Sequence, residues 1–385
     1  MSTLITGIGE LTTNTEDGPL RDAAVVLDGE RFAWIGPANA APAADDQVDL
    51  GGRAALPGWV DSHTHLVFAG DRTAEFEARM AGRPYRAGGI ATTVAATRGA
   101  SDDELSVNLA RHIAEARRQG TTCLETKTGY GLNVADELRS AKLAAAAADE
   151  VTFLGAHLVP VDMDPDKYVD LVCGEMLDAV APYVRWADVF CETGAFDEER
   201  SDRVLRAAHA RGLGLRVHGN QLGEGPGVQL AVRHGAASVD HCTYLTDADI
   251  EALASSDTVA TVLPACDLST RQRLAPARAL LDAGATVALA TNANPGSSYT
   301  TSMAFCVATA VLQMGLSVAE AVHAATAGGA RALRRDDVGV VRVGARADLQ
   351  VLDAPSVTHL AYRPGVPLTY AVWRLGQPVR VPMFD

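Results

Sequence analysis

The chain has 385 residues, 48% of them hydrophobic and 21% charged, and a formal net charge of −15. That length suits two or three average domains, or one large α/β barrel with an accessory part. The acidic balance disfavours nucleic acid, which needs clustered Lys and Arg, and no run of 18 apolar residues is present to span a membrane.

The six cysteines (Cys123, Cys173, Cys191, Cys242, Cys266, Cys306) are scattered, with no Cys-x-x-Cys pair. Several sit in apolar runs such as Asp188-Val189-Phe190-Cys191, so free buried thiols in a reducing compartment are expected. The opening Met1-Ser2-Thr3-Leu4-Ile5-Thr6 lacks a basic region followed by an apolar one. No secretory leader is expected, and the cytoplasm is the expected location.

From the N-terminus, Ala24–Leu27 and Phe32–Gly36 read as two strands of a hairpin whose turn contains Asp28-Gly29. Near the far end, 347–352 and 370–375 are also strand-like. Each terminal piece is too short to bury a sheet face alone. One small β-sandwich built from residues 1–56 and 346–385 is the economical arrangement, with 57–345 as a continuous insert.

That insert alternates. It opens with Leu56-Pro57-Gly58-Trp59-Val60-Asp61-Ser62-His63-Thr64-His65. Seven further β-rich runs follow, at 121–126, 152–157, 187–191, 213–218, 238–241, 258–263 and 286–291, each succeeded by a helix-like segment. Ser101 with Glu104, and Ser317 with Glu320, have the spacing of capping boxes, and the Ala-rich 137–149 is a strong helix by propensity. Eight strand–helix alternations predict a (β/α)8 TIM-like barrel, whose function gathers at the C-terminal strand ends. A doubly wound sheet would need a glycine-rich phosphate loop after the first strand, and Asp61-Ser62-His63-Thr64-His65 is not one.

If Trp59 to His65 is extended, then Asp61, His63 and His65 share one face. Two imidazoles so placed can grip one metal ion; a strand-end cap is the plainer use of either alone. Three more runs close on His157, His218 and His241. Any one of them alone would be read as structural, but in a barrel these ends converge. The remaining histidines, His112, His209, His234, His323 and His359, fall in helical or C-terminal segments and read as structural or surface groups.

With these residues in view, the chain resembles the amidohydrolase superfamily, and within it the imidazolonepropionase group. The resemblance rests on His63-Thr64-His65 with Arg72, on Lys127-Thr128-Gly129-Tyr130-Gly131-Leu132, and on Gly155-Ala156-His157. Asp188–Glu192 and Asn294-Pro295-Gly296-Ser297-Ser298 complete it. It implies hydrolysis of the cyclic amide of a small molecule, 4-imidazolone-5-propanoate, to N-formimidoyl-L-glutamate by a homodimer. It also implies His63, His65 and His218 as metal ligands with Asn292 at the fourth position. Arg72, Tyr130, His157, Gln221, Asn294, Gly296 and Ser297 become substrate contacts, and an Arg fork suits the propanoate carboxylate. His241, with Gln221 beside it, becomes the catalytic proton-handling group. One divalent or trivalent ion, zinc or iron, is expected, because the fourth run ends in Cys191-Glu192 with no lysine to bridge a second. Related aminoheterocycle deaminases, or a barrel that binds imidazolones without turnover, are the alternatives.

Two positions depart from the group's usual pattern. Gln221 and Asn292 stand where carboxylates are common. An amide oxygen still accepts a hydrogen bond, but it neither takes a proton at neutral pH nor offsets an ion's charge.

Overall fold

The computed structural model describes residues 2–16, 18–83 and 89–380. It opens with β1 (Ser2–Leu11), β2 (Leu20–Asp28), β3 (Arg31–Pro37) and β4 (Asp46–Pro57). β2 and β3 form the expected hairpin, with Asp28 opposite Arg31. Gly29 turns the corner at a φ of 54°, a conformation that suits glycine.

Eight parallel strands follow: β5 (Trp59–Asp61), β6 (Thr121–Lys127), β7 (Glu150–Ala156), β8 (Trp186–Cys191), β9 (Gly214–Gly219), β10 (Ser238–His241), β11 (Val259–Val262) and β12 (Val287–Leu289). Each is hydrogen-bonded to the next in sequence. Seven of the eight are buried at every residue, the pattern of strands covered on both faces; only the first residue of β9 is partly exposed. β13 (Leu349–Leu352), β14 (Thr369–Arg374) and β15 (Gln377–Val379) then return to the N-terminal strands. The result is a seven-stranded mixed sheet in the order β15-β14-β13-β4-β1-β2-β3, with β1 and β4 parallel. Ile5, Ile8, Leu27, Phe32, Leu349 and Trp373 belong to the core under this sheet, separate from the barrel core. Asp149 at the barrel's base pins the two together by accepting from Arg346 and Arg374, each at 2.8 Å.

The first barrel strand is shorter than expected, ending at Asp61. Its backbone stays extended because it still has neighbours on both sides. The Lys127 N–H donates to Thr64 O at 2.9 Å, and the His65 N–H to Ala293 O at 2.9 Å. The Asn292 N–H donates to His63 O at 3.0 Å. The ring therefore closes through the Thr64–Ala293 bridge, just beyond the strand ends. The alternation that predicts His63 and His65 on one face survives the shorter strand.

The helices between strands begin where side chains cap them. The Ala-rich helix spans Val134–Ala145, earlier than its composition suggests, because Asn133 accepts from the Asp136 N–H. Ser317 and Glu320 form a reciprocal capping box, whereas Ser101 caps the Glu104 N–H in one direction only. Among the described residues, no helix is long and apolar enough to cross a membrane.

Candidate active site

Three imidazoles converge at the mouth of the barrel. His65 Nε2 lies 3.2 Å from His63 Nε2 and 3.4 Å from His218 Nε2. Behind them, His63 Nδ1 is 2.7 Å from Asp240 Oδ2, and His218 Nδ1 is 3.0 Å from Asp188 Oδ1. A carboxylate at Nδ1 takes that proton as a hydrogen bond, so Nε2 carries the lone pair. Burial holds His63 down to about 3 and His65 well below the usual imidazole range, so both rings are neutral. The Nε2 lone pairs of His63 and His218 thus face the Nε2 of His65, whose Nδ1 has no partner among the described residues. The donor set therefore fits a metal ion.

The carboxylates at Nδ1 belong to a buried ionic group. Lys127 Nζ lies 3.0 Å from both Glu125 Oε1 and Asp188 Oδ2. Arg216 reaches Asp240 at 3.2 Å and also donates to Ser62 O and Ala332 O. Thr152 donates a short hydrogen bond to Glu125. Burial alone would raise Asp188 and Asp240. The neighbouring His218 and Lys127, and Arg216 and His63, instead hold them below the usual carboxylate range. None of these partners was assigned from the sequence. Their signal is a charged residue set inside an apolar strand, as in Ala187-Asp188-Val189 and Leu215-Arg216-Val217.

The other expected residues gather around the same cavity. His65, Arg72, Tyr130, His157, His218, Gln221, His241, Asn292, Asn294 and Ser297 line it, with Ile90 and Phe190 as apolar wall. Its volume is about 30 Å³ in this state, room for roughly two waters. Larger clefts elsewhere, such as one of about 870 Å³ beside the terminal sheet, hold no converging histidines. The His241 ring is 5.4 Å from that of His218, and its Nδ1 has no partner among the described residues. Asn220, His241 and Asn292 adopt positive φ angles of 55°, 84° and 52°. That is unusual backbone for residues other than glycine, and such backbone concentrates at functional sites.

Arg72 is held as a plate. Glu75 accepts from its Nε at 2.8 Å and from its Nη2 at 2.6 Å. Gly89 and Gly296 crowd it: a Cβ on Gly296 would stand 2.0 Å from Nη1, and one on Gly89 2.2 Å from Nη2. Asn294 Oδ1 accepts from the Gly296 and Ser297 N–H groups, each at 2.8 Å, which fixes the loop facing Arg72. His157 Nδ1 is anchored on Gly129 O at 2.9 Å, and burial draws its ring down to about 4.

Three carboxylates near strand ends have structural duties. Asp61 accepts from Thr291 N and Oγ1, joining β5 to the segment after β12, and burial pushes its carboxyl up to about 7. Glu192 accepts from the N–H groups of Gln221, Leu222 and Thr193, which leaves little of it for bridging metals. Asp267 accepts from Thr243 Oγ1 and the Ala275 N–H.

The amidohydrolase family model matches residues 54–379. An imidazolonepropionase of Saccharopolyspora erythraea is 74% identical over 97% of this chain and 98% of its own length. One of an Arthrobacter species is 67% identical over 98% and 99%. Among solved structures, an atrazine chlorohydrolase from Arthrobacter aurescens complexed with zinc superposes with a TM-score of 0.73. It is 20% identical, over 98% of this chain and 94% of that one. An adenosine deaminase from Xanthomonas campestris with bound zinc gives 0.74 at 21% identity, over 100% and 94%. At such identities these two speak for the fold alone. The matched span and the full-length relatives together make the chain a member of the amidohydrolase family, in its imidazolonepropionase branch.

Proposed function

We propose that the chain hydrolyses 4-imidazolone-5-propanoate, opening the cyclic amide to N-formimidoyl-L-glutamate in histidine degradation. One observation carries the reading: the Nε2 atoms of His63 and His218 lie 3.2 and 3.4 Å from that of His65, beside a cavity lined by His65, His218 and the clamped guanidinium of Arg72. The first suits a metal and the second a carboxylate, the two handles this substrate offers. The name carried by the full-length relatives supports the same substrate.

In this reading His63, His65, His218 and Asn292 hold one ion, zinc or iron, which imidazole and oxygen donors suit alike. When bound, the ion polarises the ring carbonyl and acidifies water. Arg72 takes the propanoate carboxylate, while Tyr130 and His157 pack on the ring. The loop of Asn294, Gly296 and Ser297 closes the other side. Burial keeps His241 neutral, so its ring can accept a proton from the water that adds to the carbonyl carbon and pass it to the nitrogen that leaves as the C–N bond breaks. Gln221 offers its amide to the substrate and orders that transfer without titrating.

Loss of imidazolone absorbance with purified zinc-loaded protein, alongside metal content on the same preparation, tests this. Ammonia release from a purine or pyrimidine without imidazolone turnover would replace the reading by a deaminase. Tight imidazolone binding without turnover would replace it by a binding protein. The reading also includes a cytoplasmic homodimer; sedimentation of the purified chain checks the dimer and cell fractionation the compartment.

A further inference from the structure

Three backbone N–H groups of the loop after β6 turn to one side chain. Gly131 and Leu132 donate to Glu137 Oε1 at 2.7 and 2.8 Å, and Gly129 donates to Oε2 at 3.1 Å. Glu137 lies in the first turn of the helix Val134–Ala145 and is fully buried. Both of its oxygens therefore accept, and each N–H they serve would be costly to leave unpaired in the interior.

This grip brackets a residue of the cavity wall. Tyr130 sits between the two held glycines, so the backbone from which its ring reaches the cavity is fixed on both sides. The grip also aims a carbonyl. Gly129 has a φ of 111°, a conformation that suits glycine, and its O lies 2.9 Å from His157 Nδ1. Nδ1–H donates to it, so the neutral His157 ring carries its lone pair on Nε2. The Tyr130 and His157 rings in turn meet at 5.4 Å. Gly131 lets the loop lie against the helix: a Cβ there would stand 2.5 Å from Glu137 N and 2.6 Å from Asp136 C. Glu137 itself stands behind the loop, outside the lining of the cavity.

We propose that Glu137 is a positioning residue for substrate, whose buried carboxylate holds the loop so that Tyr130 and His157 meet the ring in one fixed arrangement. The inference rests on the reading of Tyr130 and His157 as substrate contacts.

Steady-state loss of imidazolone absorbance and zinc affinity by chelator competition test it, both on the full-length chain with thermal melts to confirm folding. In Glu137→Gln one oxygen becomes NH2, so either the Gly129 N–H or the Gly131 and Leu132 pair meets a donor. KM is expected to rise roughly tenfold or more, with kcat changing far less. Zinc affinity is expected to stay unchanged, because the three hydrogen bonds go to the loop. Gly131→Ala strikes the same clamp from the loop side, with the same expected result, and reads it even if Glu137→Gln does not fold. Joined in one chain, the two substitutions are expected to raise KM hardly more than the larger single effect. Unchanged KM in either folded variant overturns the proposal. Zinc affinity falling in step with KM overturns it too, as general loosening, and so do effects that multiply in the double variant, as separate packing defects. Tyr130→Ala and His157→Ala separate the layers. If they raise KM while folded Glu137→Gln does not, only the proposal fails; if both leave KM unchanged, the substrate-contact reading fails and takes the proposal with it.

Discussion

Gly296→Ala isolates the carboxylate grip from the metal. The added Cβ would stand 2.0 Å from Arg72 Nη1, 2.5 Å from Cζ and 3.0 Å from Nη2. The backbone at Gly296 is not left-handed, so alanine costs nothing there and the clash is the whole perturbation. An ordinary contact needs about 3.5 Å, so the guanidinium must withdraw by roughly 1.5 Å. Gly89 already packs against Nη2 and the Glu75 carboxylate, so the guanidinium escapes only by swinging its flexible side chain out of the clamp. A shift of that size takes an N–H···O contact of about 2.9 Å out of hydrogen-bond range. Losing a hydrogen bond between charged groups costs about 1.5–3 kcal/mol, or roughly 10- to 150-fold in KM. The grip is the same in ground and transition states, so kcat is expected to stay within a few-fold. The melting temperature is expected to hold, because the obstructed atoms are the end of a flexible side chain. Steady-state loss of imidazolone absorbance reads both constants. An unchanged KM in the folded variant refutes Arg72 as the carboxylate partner; a fall in kcat alone refutes the division between grip and chemistry.

Asp240→Asn weakens the charge behind His63 Nδ1 and leaves Arg216 undercompensated. Zinc retained after chelator dialysis is expected to fall about 10- to 100-fold in affinity, with unfolding destabilised by about 3 kcal/mol in urea; unaltered metal content would separate Asp240 from the ion. Asn292→Asp is expected to tighten zinc about tenfold by supplying a charged ligand, and no change would remove residue 292 from the ion. Asp267 titrates in the folded chain at about 7, raised by burial from its ordinary 3.8. The folded state therefore binds the extra proton, and stability falls as pH rises from about 4 to 7, by an upper bound of roughly 4 kcal/mol. Asp267→Asn is expected to match wild type in urea melts near pH 4 and exceed it at pH 8; a difference independent of pH refutes the assignment.

Much of this was legible because barrels gather strand ends. Period-two alternation places His63 and His65 together, and the topology brings His218 and His241 to them without further information. The limits of legibility were local and electrostatic. β5 ends at Asp61 because its register with β12 is completed by loop backbone, which no propensity records. Asp61 shares the predicted face yet serves Thr291, since a strand-end carboxylate goes to whichever unpaired donors the next strand presents. Lys127 stood out as a motif letter, but its partners Glu125 and Asp188 come from neighbouring strands, and only folding reveals them. Cys266 read as an ordinary buried thiol. Nothing in its segment says that the Gln221 amide, 45 residues away, comes within 3.8 Å of its sulfur.

The buried ions behind the histidines bear on what Asn292 does to the reaction. Glu125, Asp188 and Asp240 stand against Lys127 and Arg216, one formal negative charge in surplus. With neutral imidazoles in front, a divalent ion carries the group one charge past neutrality. A carboxylate at residue 292 would restore the balance, and an amide leaves the positive charge facing the cavity. At an effective dielectric of about 20, that charge attracts a developing anion 4 Å away by about 4 kcal/mol. If residue 292 is the fourth ligand, the amide would weaken the hold on the ion and strengthen the field that a developing oxyanion in the cavity would feel. Asn292→Asp is accordingly expected to move two readouts in opposite directions, with tighter zinc binding and a lower kcat. If both rise together, Asn292 is only a poorer ligand and the charge argument fails.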